Sequence, residues 1–258
     1  MNCRRALAIA LMCVSLPSMA ATRRHIAPWA PFDAHRILWV GAHPDDEILA
    51  APLLGALCVE RTSQCSMVVV TRGENGSCTL PGDCSDLGEL REQEMRAAAA
   101  MFRATLAQWS LPDTMTDFDA QWSPDQLIGA LRDIIRVQRP TAILTFDPNH
   151  GSTCHPAHRA IGALTLEAAR QSGTPVFLLE TRALPDGAGF QFQKALSGSI
   201  AVDARMSWHY LLDDLAVHAS QFSSDTRDAV AATPPEERVV FLAPAAALVG
   251  AVYGSPCP

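Results

Sequence analysis

The chain has 258 residues, 48% of them apolar and 18% charged, a composition of ordinary globular proteins that excludes a disordered or fibrous chain. Acidic residues outnumber basic ones 27 to 20, and Lys194 is the single lysine, so no basic stripe exists to displace counterions from a polyanion. Nucleic acid and anionic membrane surfaces are excluded as partners on that ground. The length suits one α/β domain, and no linker demands two.

In chain order, the first feature is Met1-Asn2-Cys3-Arg4-Arg5, followed by the apolar run Ala6 to Leu16 and by Ser18-Met19-Ala20-Ala21. A basic start, a short apolar stretch and small residues at a cut site have the form of a secretory signal. The run is too short to span a bilayer. The expectation is a signal over residues 1–20 and one mature domain over 21–258, periplasmic or secreted and without stable membrane insertion. A first buried helix is the competing reading, and it leaves the Arg pair and the Ser-x-Ala ending as coincidence. Cleavage removes Arg4 and Arg5, so 18 basic residues face 27 acidic ones. It leaves Cys58, Cys65, Cys78, Cys84, Cys154 and Cys257, an even number that implies disulfides in an exported chain. Cys58 with Cys65 and Cys78 with Cys84 would close short loops, but the order alone leaves the pairing open. No Cys-x-x-Cys is present to hold zinc through thiolates.

Ile37 to Val40 is continuously apolar and turns at Gly41, and a helix is expected from Glu47 to Val59 after an acidic cluster. The pattern repeats. Strands are expected at Ser66 to Thr71, Trp109 to Leu111, Thr141 to Phe146 and Pro175 to Thr181. Helices are expected at Asp86 to Phe102, Pro124 to Val137 and His155 to Ser172. Beyond Leu184 the pattern weakens to a strand pair within Phe190 to Val202, a helix from Ser207 to Ser220 and a strand from Val239 to Ala243. Strands that are apolar throughout and alternate with helices indicate a doubly wound, mostly parallel, Rossmann-like α/β sheet with helices on both faces. Ligands of such sheets bind beyond the carboxyl ends of the strands. Two polar constellations fall there.

The first is Ala42-His43-Pro44-Asp45-Asp46-Glu47. One imidazole and three consecutive carboxylates after a buried strand are costly unless a cation or a helix start receives them. Capping explains the carboxylates but not the His-Pro. The second is His155-Pro156-Ala157-His158, preceded by Asp147-Pro148-Asn149-His150-Gly151. Pro at the first helical position puts His155 at the N-cap, and rings at i and i+3 project to one side. Together they offer a mixed His/carboxylate set without sulfur, which suits catalytic Zn2+ with an open position. Fe2+ or another divalent ion also fits a two-His, one-carboxylate face.

These residues resemble the PIG-L/LmbE-like family of metal-dependent de-N-acetylases. Other segments carry the same resemblance in order: Thr71-Arg72-Gly73-Glu74-Asn75-Gly76, Arg91-Glu92-Gln93-Glu94-Met95, Leu111-Pro112-Asp113 and His218-Ala219-Ser220-Gln221. The resemblance implies His43, Asp46 and His158 as metal ligands and Asp45 as general base. It implies His155 as the group that stabilises the tetrahedral intermediate or protonates the leaving amine, and Arg91 and Asp113 as substrate contacts. It implies hydrolysis of the N-acyl group of an amino sugar, small or oligomeric. Two departures stand out. Ala157 replaces the acid common in His-Pro-Asp-His, so a carboxylate that could tune a ligand is missing. The loop His150-Gly151-Ser152-Thr153-Cys154 lacks the tyrosine that some members place there, leaving His150 or Ser152 as substitute oxyanion donors and Cys154 as a disulfide partner rather than a nucleophile. A carbohydrate-binding protein with a degenerate pocket and a metal-dependent phosphoesterase are the competing readings. No Gly-x-Ser-x-Gly elbow and no Walker lysine are present.

Overall fold

A computed structural model of the chain describes residues 35–82, 84–179, 181–183, 190–192 and 200–245. The signal-like start and Cys257 lie outside the described residues. Strand β1 (Arg36–Gly41) is buried from its second residue onward, as the apolar run requires. The acidic cluster follows at its carboxyl end. The helix expected over 47–59 is a helical run of changing pitch: a 3-10 turn over Asp46–Ala50, α1 (Ala51–Leu54) and a π segment over Gly55–Glu60. Cys58 is bonded to Cys65 across the turn into β2 (Gln64–Thr71).

Next come α2 (Leu87–Met101) and β3 (Ala104–Leu111), the latter far longer than the three residues expected. Its side chains are half-buried or exposed, so this edge strand carries no continuous apolar run. The short α3 (Phe118–Trp122) precedes α4 (Pro124–Gln138), and β4 (Ala142–Phe146) is wholly buried. The four-residue α5 (Gly151–Cys154) and α6 (Pro156–Ala169) then lead to β5 (Val176–Leu179).

The strands β6 (Thr181–Ala183) and β7 (Phe190–Phe192) form a separate antiparallel pair. The pairing expected within Phe190 to Val202 is therefore not made: β7 pairs with β6, and β8 (Ile200–Asp203) pairs with β9 (Val239–Pro244). Between β8 and β9 run α7 (Trp208–Val217) and α8 (Ser224–Ala231). α8 buries none of its residues, so it presents no apolar face to read.

The main sheet has the order β3-β2-β1-β4-β5-β9-β8. Its first five strands are parallel, and β9 joins β5 antiparallel. Helices α4 and α6 cover one face, and α1, α2 and α7 pack together on the other. The chain leaves β1 for β2 on one side and later returns to place β4 on the other, with Trp39 opposite both Met67 and Leu144. That reversal opens a crevice at the carboxyl ends of β1 and β4, where both polar constellations emerge.

Candidate active site

At the end of β1 the chain turns so sharply that Asp45 adopts φ 100 and ψ −13, in the left-handed region that Asp tolerates better than most residues. Such a backbone persists only where its neighbours over-determine it, at a cost of about 1–3 kcal/mol. Asp46 supplies one restraint, because its Oδ2 accepts the backbone N–H groups of Ala42 at 2.6 Å and His43 at 2.9 Å. Arg91 of α2 supplies another. Its guanidinium lies 3.0 Å from Asp45 Oδ2 and donates to the carbonyls of Pro44 at 2.5 Å and Gly73 at 2.8 Å. The loop after β2 makes room for it. Gly73 has φ +64, and a Cβ there would overlap the guanidinium.

His43, Asp46 and His158 meet across the crevice. His43 Nδ1 is 3.3 Å from His158 Nε2 and 3.6 Å from Asp46 Oδ1, and that oxygen is 2.9 Å from His158 Nε2. The outer ring nitrogens fix both tautomers. His158 Nδ1 donates to the Gly151 carbonyl at 2.9 Å, and His43 Nε2 faces Asp113 Oδ1 at 3.2 Å. With those protons drawn outward, the two inner nitrogens and a carboxylate oxygen turn lone pairs towards one point. A tetrahedral cation with bonds of about 2.0–2.2 Å needs ligand separations near 3.3 Å. The three distances bracket that value, so the donor set fits a divalent cation of the zinc type.

His155 also comes within 4.8 Å of His43 and His158, which gives a looser three-imidazole set. The carboxylate set is tighter. The Nδ1 of His155 is already engaged as the helix cap, accepting the Ala157 N–H at 3.3 Å. That acceptance places the ring proton on Nε2. Burial and the two neighbouring imidazoles push His155 down to about 4, so it is neutral near pH 7. Burial opposes charge on His43, but hydrogen bonds to Asp113 and Asp46 raise it to about 10 without a cation. Burial raises Asp45 against the pull of Arg91, whereas His158 and His43 outweigh burial and hold Asp46 well below the usual carboxylate range.

Asp113 and Arg91 line the cleft, as substrate contacts would, yet each charged group already has a protein partner. Asp113 braces His43 and accepts the Asn75 N–H at 3.1 Å, while its own N–H donates to Glu74 at 3.0 Å. The carboxylate behind a ligand-type histidine, expected to be missing because of Ala157, is thus present on the other histidine. His150 and Ser152 do not serve as oxyanion donors. His150 is paired with Asp147 at 2.9 Å, the Ser152 hydroxyl points to the Leu179 carbonyl at 3.4 Å, and neither lines the cleft. Cys154 is disulfide-bonded, as expected.

The cleft holds about 520 Å³ and is walled by Ile48, Leu49, Met115 and Phe222 as well as by the polar groups above. Its rim over residues 75–77 leads into the loop closed by Cys78–Cys84. A second cluster, Glu47, Asp214 and His218, lies sealed behind the turn. The His218 motif was recognised in the sequence without a role, and Asp214 was missed. The available signal was a pair of adjacent acids, Asp213-Asp214, between Leu212 and Leu215 on a mostly apolar helix.

Fold and site together define a doubly wound α/β protein with a His/Asp/His set, of a geometry that fits a divalent cation, at the point where the strand order reverses. A family model described as PIG-L, GlcNAc-PI de-N-acetylase, matches residues 38–169, and the chain belongs to that family. A 1D-myo-inositol 2-acetamido-2-deoxy-alpha-D-glucopyranoside deacetylase of Mycobacterium tuberculosis is 35% identical over 143 residues, 48% of this chain and 47% of the relative. The chain thus spans about half the length of the curated relatives it matches. Among solved structures, the N,N'-diacetylchitobiose deacetylase of Pyrococcus horikoshii aligns with a TM-score of 0.59 at 19% identity, over 78% of this chain and 75% of that one. The 4-carboxy-2-hydroxymuconate hydratase GalB of Pseudomonas putida aligns at 0.62 and 16%, over 81% and 95%. Both likenesses show the fold alone.

Proposed function

We propose that the protein is an exported, metal-dependent N-deacetylase that hydrolyses the N-acetyl or N-acyl group of an amino-sugar-containing substrate. The observation that carries this reading is the convergence of three lone-pair atoms, from His43, Asp46 and His158, on one point beside the Asp45 carboxylate at the floor of an open cleft. Family membership and a deacetylase relative support the substrate class. A divalent cation, Zn2+ or Fe2+, would polarise the acyl carbonyl and make water a better nucleophile.

The protein groups do the rest. Asp45 accepts a proton from the attacking water, and Arg91 holds its carboxylate in place. Water adds to the acyl carbon while His155, neutral and with its proton on Nε2, donates a hydrogen bond to the developing oxyanion. The proton taken by Asp45 passes to the leaving nitrogen as the C–N bond breaks, giving the carboxylic acid and the amine, and the acid's proton then moves to the amine to leave carboxylate and ammonium. His155 is thus assigned to the oxyanion rather than to protonating the amine, because its lowered basicity leaves it no proton to spare.

The test is acetate release from a panel of N-acetyl sugars by metal-analysed protein, with 4-carboxy-2-hydroxymuconate and phosphate esters as controls. Free amine and acetate in equal amounts support the reading. Binding without turnover would return the protein to a carbohydrate-binding role, phosphate release to an esterase, and hydration of the muconate to the chemistry named for GalB.

Export rests on the signal-like start and on the disulfides Cys58–Cys65 and Cys78–Cys84. Among the described residues no helix is long and apolar enough to cross a membrane. Exported protein is expected to begin near Ala21, and its intact mass decides the matter.

A further inference from the structure

The segment His218-Ala219-Ser220-Gln221 has no atom in the proposed chemistry, yet three buried or rim connections leave it. His218 Nε2 donates to Glu47 Oε1 at 2.7 Å, and both side chains are wholly buried. Glu47 follows Asp46, so this bond fixes the far side of the strained turn. The Ser220 N–H and Oγ donate to the two oxygens of Glu94 at 2.8 and 2.6 Å. Glu94 stands one helical turn beyond Arg91 on α2, so this arm fixes the helix whose guanidinium grips Asp45. At the rim, the Thr79 N–H donates to the Ser220 carbonyl at 2.8 Å and the Gln221 amide to the Ser77 carbonyl at 2.8 Å.

From this we propose that His218–Gln221 is the positioning element for the Asp45 carboxylate, acting through the His218–Glu47 arm on its backbone and the Ser220–Glu94 arm on its Arg91 partner. The inference rests on the deacetylase reading for its kinetic consequence, not for its structural one. A base displaced by about 1 Å loses on the order of 10²-fold in rate even when the change lies away from the reacting atoms. Metal and substrate contacts stay in place, so the loss falls on kcat.

The experiment compares Glu47→Ala, Glu47→Gln and Ser220→Ala, alone and with Asp45→Asn, for kcat, KM, metal content and the crystallographic position of Asp45. Glu47→Ala should lower kcat about 10–100-fold with KM and metal content nearly unchanged. Glu47→Gln keeps an oxygen that accepts from His218 and should recover to within about 3-fold of the parent. In the Asp45→Asn background Glu47→Ala should cost nothing further, because the base it positions is already gone. Should Glu47→Ala fail to fold, Ser220→Ala carries the same test through the other arm, with an expected fall of about 3–10-fold. Equal losses with and without Asp45, or an Asp45 carboxylate that stays on Arg91 in crystals of Glu47→Ala or Ser220→Ala while kcat falls, overturn the proposal. If the parent releases no acetate from any sugar, the deacetylase reading fails by itself. An Asp45 displaced in the variant crystals then still upholds the positioning, and an undisplaced one rejects it.

Discussion

Two histidine–carboxylate clusters share one turn of this chain, and they differ in where the ring protons go. Asp46 turns towards the cleft to meet His43 and His158, while its neighbour Glu47 turns inward to meet His218 and Asp214. In the open cluster Asp113 and the Gly151 carbonyl draw the imidazole protons outward, leaving lone pairs on the inside. In the sealed cluster His218 keeps its proton between the acids. Burial opposes that charge, but Glu47, Asp214 and Asp45 push the histidine up to about 9. Asp214, buried and beside Glu47, moves well above the usual carboxylate range, so the sealed cluster closes its own charge. The residue types are nearly identical. The open cluster faces the cleft, where a cation would replace the proton that His43 holds without one, and the sealed cluster is closed to solvent and keeps its proton on His218.

The largest effect expected from this difference comes from removing a donor of the open cluster. Asp46→Ala or His158→Ala should abolish tight metal binding and lower turnover by more than about 10³-fold, since the cation supplies several kcal/mol of transition-state stabilisation. Metal stoichiometry and turnover measured together check it. A sealed-cluster variant such as Asp214→Asn should keep its metal. A metal-replete His158→Ala would erase the distinction between the clusters.

Asp45→Asn comes next. It keeps size and polarity but removes basicity, so the metal should stay while the rate falls by about 10²–10⁴, the usual contribution of general acid–base catalysis. Full activity in this variant would remove Asp45 from the mechanism. A metal-free Asp45→Asn beside a metal-replete Asp46→Ala would show the two roles exchanged.

The central parallel strands were legible because burial on both faces leaves continuous apolar runs such as Leu38 to Val40 and Ala142 to Leu144. The edge strand β3 and the exposed α8 were not, since neither carries that pattern. In the site, the spacing His43-Pro44-Asp45-Asp46 and His155-x-x-His158 marked residues that the fold brings together, because each motif lies within one turn at a strand end. What each side chain touches depends on loops far apart in sequence. Asp113 reaches His43 across 70 residues, and His218 reaches Glu47 across 171. No local periodicity encodes those meetings, and only the ordered set of motifs hinted at them.

Asp113 sharpens the comparison further, because it decides the tautomer of His43 and so which kind of cluster the open one is. If it acts behind the histidine, Asp113→Ala should weaken metal binding by about 10–100-fold, the usual cost of losing such a partner. KM measured at saturating metal should then stay close to that of the parent. A raised KM with unchanged metal affinity would return Asp113 to the substrate-contact role that the family resemblance implies.

The smallest effect separates the clusters by pH. A histidine held at about 9 in the folded protein, against a reference near 6.5, adds stability that is fully present below about 6.5 and is lost as pH rises through 9. His43, held at about 10 without a cation, contributes with the same sign in chelated protein. Melting curves of chelated parent should therefore fall between about pH 7 and 10, and His218→Gln should show a shallower fall, a difference of a few degrees. Saturating metal acts on the open cluster alone. Its ligands must be deprotonated to bind, so the metal's own contribution grows with pH and offsets the His43 loss. The gap between parent and His218→Gln should survive that addition unchanged, because the cation has no route into a proton-filled cluster. If metal instead closes the gap, the ion is displacing the His218 proton, and the sealed cluster is a second cation site rather than a self-neutralised one.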